Sequence, residues 1–420
     1  MLNWNFIACC LSNLLFYTSV YVLVPVLPLY LVDEFQADKP LAGVILSLFV
    51  FSSMFIRPFS GFFVDMFQRK PLYLFCYFIF TALFAGYLLA GTLFVLAIVR
   101  AIHGLIFSVG TTSATALAVD LLPIEKQGRG IGLFGVTTSA GMLFGPITGL
   151  TVLDFYSFQS VFAVALAIAI TALMIGISIK PPERQPTDHA DACQDDSPGE
   201  MPGGDKADCR TITGFMRSLK RIILIQALPI ALCAILVMFF YGAIVHYFTL
   251  FIRERDIHVE AGIFFVLLSL GLMAGRLAGG WFVDKGALFM PVLIGKMLIL
   301  AAVSALWQDV FLLAGILCGF GYGMIFPSYQ TIFIRLANES QRGIAVSTYR
   351  TATDFGTGLA VILGGLIAEW SSFFALFLIG AFLILLSLVL FHTFAGPHYT
   401  RQHDAQYPTK PDSIVLHNPS

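Results

Sequence analysis

Arg100, His103, Arg350 and Asp354 all fall within stretches long enough and apolar enough to span a membrane. Arg100 has no charged neighbour within nineteen residues on either side, and His103 follows three residues later, on nearly the same helical face. An arginine in hydrocarbon costs at least about 2.5–3.5 kcal/mol on insertion scales, so it has to face a protein interior or a watery cavity. Arg350 and Asp354 are four residues apart, again on one face. Such a pair can satisfy itself as a structural ion pair. It can also alternate, because protonating Asp354 frees Arg350 for another anion. Histidine is the side chain that titrates near neutrality. The chemistry on offer is proton binding and anion capture inside a membrane, and Asp354, Arg100 and His103 are the candidates for coupling a proton to it. A structural Arg100, bonded to backbone carbonyls, is the alternative.

A second signal is a repeat. Arg57-Pro-Phe-Ser-Gly61-Phe-Phe-Val-Asp65 returns 219 residues later as Arg276-Leu-Ala-Gly-Gly280-Trp-Phe-Val-Asp284, with five of nine positions identical. Each copy lies where an apolar run meets a short charged turn. A chain that repeats itself at half its length inside the membrane has the signature of a two-fold transporter.

The elements that must position these residues are helices. Of 420 residues 58% are hydrophobic and 12% charged, with mean hydropathy +0.86. Soluble domains carry about 25% charged residues, so the composition is that of an integral membrane protein. Net charge is −1, which gives a nucleic-acid partner no electrostatic support. Helices cross hydrocarbon in about 20 apolar residues. Runs of that length predict spans 1 to 6 near 6–31, 41–63, 72–91, 93–118, 131–152 and 159–179. Spans 7 to 12 fall near 222–250, 262–283, 289–307, 310–334, 344–367 and 372–394. With both termini cytoplasmic, sixteen Lys and Arg lie inside and only Lys39, Arg253 and Arg255 outside. The first 31 residues are too long and too weakly basic for a cleaved leader and read as a span. The expected fold is an all-α integral membrane protein of twelve transmembrane helices in two pseudo-symmetric six-helix bundles. Residues 1–179 form the first bundle and 222–395 the second. Residues 180–221, rich in Asp, Pro and Gly, form a largely disordered cytoplasmic linker, and 396–420 a disordered cytoplasmic tail.

Span 1 carries Asn13, Tyr17 and Tyr21 at i, i+4 and i+8, a polar stripe suited to a substrate cavity. His246 in span 7 and Arg350 are further cavity candidates. No metal-ligand spacing occurs among the seven cysteines, and the histidines of the tail show none either. No nucleotide-binding Gly-x4-Gly-Lys-Ser/Thr and no His-Glu-x2-His occurs, so neither ATP-driven transport nor metalloprotease chemistry is supported. Gly319-x-Gly321-x-Gly323 lies in an apolar run with no strand before it and reads as helix packing. No enzymatic activity, metal or cofactor is expected; the energy source would be an ion gradient.

At this point the motifs resemble a family. Gly61-x3-Asp65-x3-Arg69-Lys70 resembles the first signature of the major facilitator superfamily, with Met66 and Gln68 departing from the usual Arg and Gly. Arg100-x2-His103-Gly104 resembles its second, with His103 for the usual Gln. Gly132-x8-Gly141-x3-Gly145-Pro146-x2-Gly149 matches in full the span-5 signature of its exporters. The resemblance covers residues 1–395 and points to the twelve-span solute:proton antiporters. It implies an inner gate built from Asp65, Arg69, Lys70 and Asp120, with Asp284, Gly61 and Gly280 as elements of the repeat. It also implies a sealing helix at Gly132, Gly141, Gly145, Pro146 and Gly149. Many exporters of the family carry an acid in span 1, and this chain does not. Cavity bases thus outnumber acids, and an amphipathic or anionic small solute is expected. It would leave a bacterial cytoplasm through a monomer in the inner membrane, driven by protons. Proton symport on the same fold, and a non-transporting sensor or assembly subunit, are the alternatives.

Overall fold

The computed structural model describes residues 3–122, 127–180, 224–257, 261–337 and 342–400. Among them there is no strand, and twelve helices are long and apolar enough to cross a membrane. Span 1 is interrupted, running Trp4–Leu23 and then Leu27–Asp33. Pro25, which has no N–H to donate to the preceding turn, sits in the break. Spans 2 to 6 are Lys39–Met66, Arg69–Leu89, Leu93–Asp120, Gln127–Phe155 and Phe158–Ser178. Spans 7 to 11 are Leu228–Glu254, Ala261–Asp284, Phe289–Trp307, Phe311–Arg335 and Arg342–Trp370. Span 12 begins at Phe373, passes a π turn at Phe391–Ala395, and stays helical to Thr400. The tail expected from residue 396 therefore starts later. The rest of it, and the linker from 181, lie outside the described residues; Lys180 donates its backbone N–H to Asn5 Oδ1 at 3.0 Å.

Helix ends follow local chemistry. Asp38, Thr92, Ser157 and Ser372 each accept a hydrogen bond from the backbone N–H three residues on, opening spans 2, 4, 6 and 12. Charged residues such as Lys39, Arg69, Glu254 and Asp284 end the helices just beyond the apolar runs.

The packing is two-fold. Span 1 lies against 5 and 6, span 2 against 4, and span 3 against 4 and 6. The same pairs recur six spans later, as 7 with 11 and 12, 8 with 10, and 9 with 10 and 12. Aromatic side chains fill each bundle. Phe16, Tyr77, Phe80 and Phe84 are buried in the first, and Phe248 stacks on Phe264 at 3.6 Å in the second. Glycines allow the closest crossings: a Cβ at Gly319 or Gly323 would overlap the span-8 backbone, and one at Gly321 would meet Gly295 of span 9. These three glycines are packing residues, as their place in an apolar run predicts. Between the halves, span 2 meets span 11 and span 5 meets span 8.

Candidate functional site

The two halves are tied together along one direction. At the outer ends, the side with few Lys and Arg, Arg253 pairs with Asp33 at 2.6 Å and Lys39 with Glu254 at 2.9 Å. Lys39 also donates to the Ala368 carbonyl, and Thr249 to the Pro25 carbonyl in the break of span 1. Gly43 and Gly365 bring spans 2 and 11 into backbone contact at the same level.

Deeper in, Arg57 Nε donates to Asp354 Oδ2 at 2.7 Å and Nη2 to Ser53 Oγ at 3.1 Å. Arg57 is eighteen residues into span 2, about 27 Å from its outer end. Asp354 is thus paired across the halves with Arg57, not along its own helix with Arg350. On the opposite face, Arg276 of span 8 donates to Ser139 Oγ of span 5, and its guanidinium lies 5.5 Å from the Phe326 ring centre.

These two contacts are copies of each other. Arg57 and Arg276 are the same position of the repeat. Gly141 packs on Tyr17 and Gly145 on Tyr21, while Gly356 packs on Met238 and Gly242 on Ala360. Those pairs align span 5 with span 11 at an offset of 215 and span 1 with span 7 at an offset of 221. At 215, Ser139 corresponds to Asp354. One interface therefore has a carboxylate where the other has a hydroxyl. Sequence reading singled out Asp354 but gave neither Arg57, Arg276 nor Ser139 a role, although both arginines open the repeat.

Tyr17, Tyr21 and Arg350 come together around this layer. Tyr17 lies within electrostatic reach of Arg350, Arg57 and Asp354, and Tyr21 of Tyr241 and Arg276. Arg350 is exposed, reaches Tyr349 and Arg276 electrostatically, and has no ion-pair partner among the described residues. Asn13 is buried lower in span 1, donating to Thr137 Oγ1 at 2.9 Å and Thr138 Oγ1 at 3.2 Å, while its Oδ1 is unpartnered. His246 is buried and its Nδ1 donates to the Gly242 carbonyl one turn earlier.

Arg100 and His103 lie elsewhere. Both are buried. Arg100 donates to the Leu46 carbonyl at 3.1 Å and sits 4.6 Å from the centre of the Phe49 ring. His103 is boxed by Phe80, Phe84, Phe49 and Tyr87, whose hydroxyl is 3.0 Å from Nδ1. Arg100 Nε and His103 Nε2 have no partner. Every contact of His103 is made inside the first bundle, so it does not share a shell with Asp354.

Of the gate candidates, Arg69 forms an ion pair with Asp120 and donates to the Ala116 carbonyl, and Lys70 donates to the Ile177 carbonyl. These bonds join spans 3, 4 and 6 of one half. Asp284 is exposed, and a Cβ at Gly61 or Gly280 would meet nothing within 4 Å. The side chain of Asp65 and the surroundings of Gly132 lie outside the described residues. Gly141, Gly145 and Gly149 press span 5 onto span 1 at Tyr17, Tyr21 and Val22, and Pro146 lies inside the helix. Among the described residues no group of three potential metal ligands exists.

The sequence profile of the Major Facilitator Superfamily matches residues 9–308 and 286–416. The chain belongs to the Major Facilitator Superfamily. It is similar to the MFS-type transporter YhhS of Escherichia coli K12, at 23% identity over 408 residues, 93% of this chain and 92% of that one. A shorter match is to the multidrug resistance efflux pump PmrA of Streptococcus pneumoniae, 24% identical over 44% of this chain and 47% of the relative. In fold it resembles the human organic anion transporter MFSD10, with a TM-score of 0.63 and 19% identity over 92% of this chain and 98% of that one. Membership makes the chain a multi-pass membrane transporter of small molecules rather than an enzyme.

Proposed function

We propose that this transporter exports a small amphipathic solute bearing an anionic group, by proton antiport, and that Asp354 carries the proton. The observation that supports this reading is the Arg57–Asp354 pair spanning the two halves. A carboxylate in a cross-half pair links protonation to the strength of the contact that holds the halves together. Tyr17, Tyr21 and Tyr349 between them lie within electrostatic reach of three arginines, Arg57, Arg276 and Arg350, and of one carboxylate, Asp354, which favours an anion over a lipophilic cation.

Coupling has a sign that the pair makes explicit. A solute whose own hydroxyl or amine donors bond the ionised Asp354 competes with the proton, which is the condition for antiport. A solute that is only an anion would take Arg57 from Asp354 most easily when Asp354 is protonated. Solute and proton would then travel together, as in symport. The solute we propose therefore carries donors as well as a negative group; sugar acids, secreted chelators and some anionic drugs do. The span-5 glycines, matching the exporter signature, support the outward direction. Asp65, Arg69, Lys70 and Asp120 would form the inner gate, with Asp284 in the second copy of its repeat. Arg100 and His103 would tune the first bundle from within. The proposed unit is a monomer in a bacterial inner membrane with both termini cytoplasmic.

Inside-out vesicles, acidified within, test this. Adding a panel of sugar acids, carboxylate chelators and anionic drugs should collapse the proton gradient for at least one solute, and Asp354→Asn should abolish the response while the protein still folds. A solute-driven alkalinisation of the medium in right-side-out vesicles would instead establish symport. Full coupling in Asp354→Asn would remove Asp354 from the mechanism.

A further inference from the structure

We propose that Arg276 is the anion-binding residue of the transporter, left available because its partner is Ser139 rather than a carboxylate. Three observations carry this. The two-fold alignment puts Arg276 where Arg57 stands in the other half, and Ser139 where Asp354 stands. Arg57 is neutralised by a carboxylate at 2.7 Å, whereas Arg276 is held by one hydroxyl and an aromatic face. Tyr241, Tyr349, Tyr21 and Arg350 lie in electrostatic reach of Arg276, and no ion pair is formed by it among the described residues.

A half-buried guanidinium with a second arginine nearby and no ion-pair partner among the described residues is an under-compensated charge in a low-dielectric setting. Such a charge persists when something mobile supplies the counter-ion. A solute carboxylate, sulfonate or phosphate does so through paired N–H donors, the strongest geometry available to arginine. Ser139 Oγ accepts only one of the five guanidinium N–H bonds, so it orients Arg276 without satisfying it. Arg350, exposed and unpaired among the described residues, supplies the second arm of the clamp. The tyrosines of spans 1, 7 and 11 offer hydroxyls and apolar faces to the body of the solute. The division of labour follows from one substitution in the symmetry: the half-site with Asp354 binds the proton, and the half-site with Ser139 binds the anion.

This deepens the antiport reading by naming the group that recognises the solute, and its test is equilibrium binding, which needs no transport. The probes are fluorescein, an amphipathic anion, and rhodamine 123, a cation on the same ring system. Fluorescence anisotropy is read on the full chain in nanodiscs. Wild type should bind fluorescein in preference to rhodamine 123. Arg276→Gln and Ser139→Asp should each weaken fluorescein by about tenfold or more, one by removing the charge and the other by neutralising it in place. Ser139→Ala, which removes only the hydroxyl, should retain or strengthen binding. Two results would overturn the proposal: no charge preference in wild type, or equal loss in Ser139→Ala and Ser139→Asp, which would make Ser139 a structural residue. Preserved binding without proton coupling would refute the antiport reading and leave the anion site standing.

Discussion

Spans 2 and 11 meet in the same way as spans 8 and 5, yet the two contacts behave as different chemical objects. In the first, Arg57 is bonded to the acid Asp354, and glycines at 43, 358 and 365 bring the helices close. In the second, Arg276 is bonded to neutral Ser139, with Ser269 donating to the Met142 carbonyl nearby. A charge-assisted bond is about twice as strong as a neutral one. It is also the one that a proton can abolish, whereas the hydroxyl contact is indifferent to pH. Symmetry supplies the frame, and a single difference in side-chain type makes one interface responsive and the other receptive.

The largest effect is expected at Arg57. Arg57→Gln leaves Asp354 without its partner. Breaking a buried pair costs up to about 3–5 kcal/mol, and with Asp354 26% exposed a loss near the lower end is expected. Thermal unfolding in detergent measures it, and the double variant Arg57→Gln/Asp354→Asn should regain most of that stability without regaining proton coupling. A substitution that moves span 5 comes next. Gly145→Ala forces a Cβ into Tyr21 and should cost about 1–3 kcal/mol, displacing Ser139 from Arg276. The repeat glycine Gly280, with open space around it, should tolerate Ala within about 0.5 kcal/mol.

Ser139→Asp makes the two interfaces alike. It should raise thermal stability by about 1 kcal/mol, the gain of a charge-assisted bond over a neutral one, while transport falls because both faces are now locked. The smallest effect is expected at the outer rim. Arg253 is 56% exposed in its pair with Asp33, so Asp33→Asn should change stability by about 0.2–1 kcal/mol and lose even that in high salt. Cysteine cross-linking across the outer ends should nevertheless report a shift toward the outward-open state.

Much of this architecture was legible in residue order. Apolar run length placed twelve helices, because a backbone in hydrocarbon must satisfy its own hydrogen bonds. The repeat announces the two-fold relation, and Gly141, Gly145 and Gly149 lie against the span-1 backbone. The pairing of Asp354 was not legible. Spacing suggests Arg350, but an arginine preceding an acid by four is the less favourable order on a helix, and a neighbouring span presents Arg57 at the same depth. His103 and Arg100 also looked like members of one site with Asp354. His103 points into the aromatic interior of the first bundle, and Arg100 bonds the span-2 backbone, directions that periodicity in an apolar helix does not reveal.

The sequence by itself determined that the chain spans a membrane twelve times, that its halves repeat, and which polar residues must be kept from lipid. Those are consequences of composition and spacing, which act locally along each helix. Tertiary structure alone decided which half each arginine reaches into, and so set Arg57 against Asp354 and Arg276 against Ser139. Such partnerships join residues 297 and 137 positions apart. Their geometry is fixed by how whole helices cross, and no local preference in the chain encodes that.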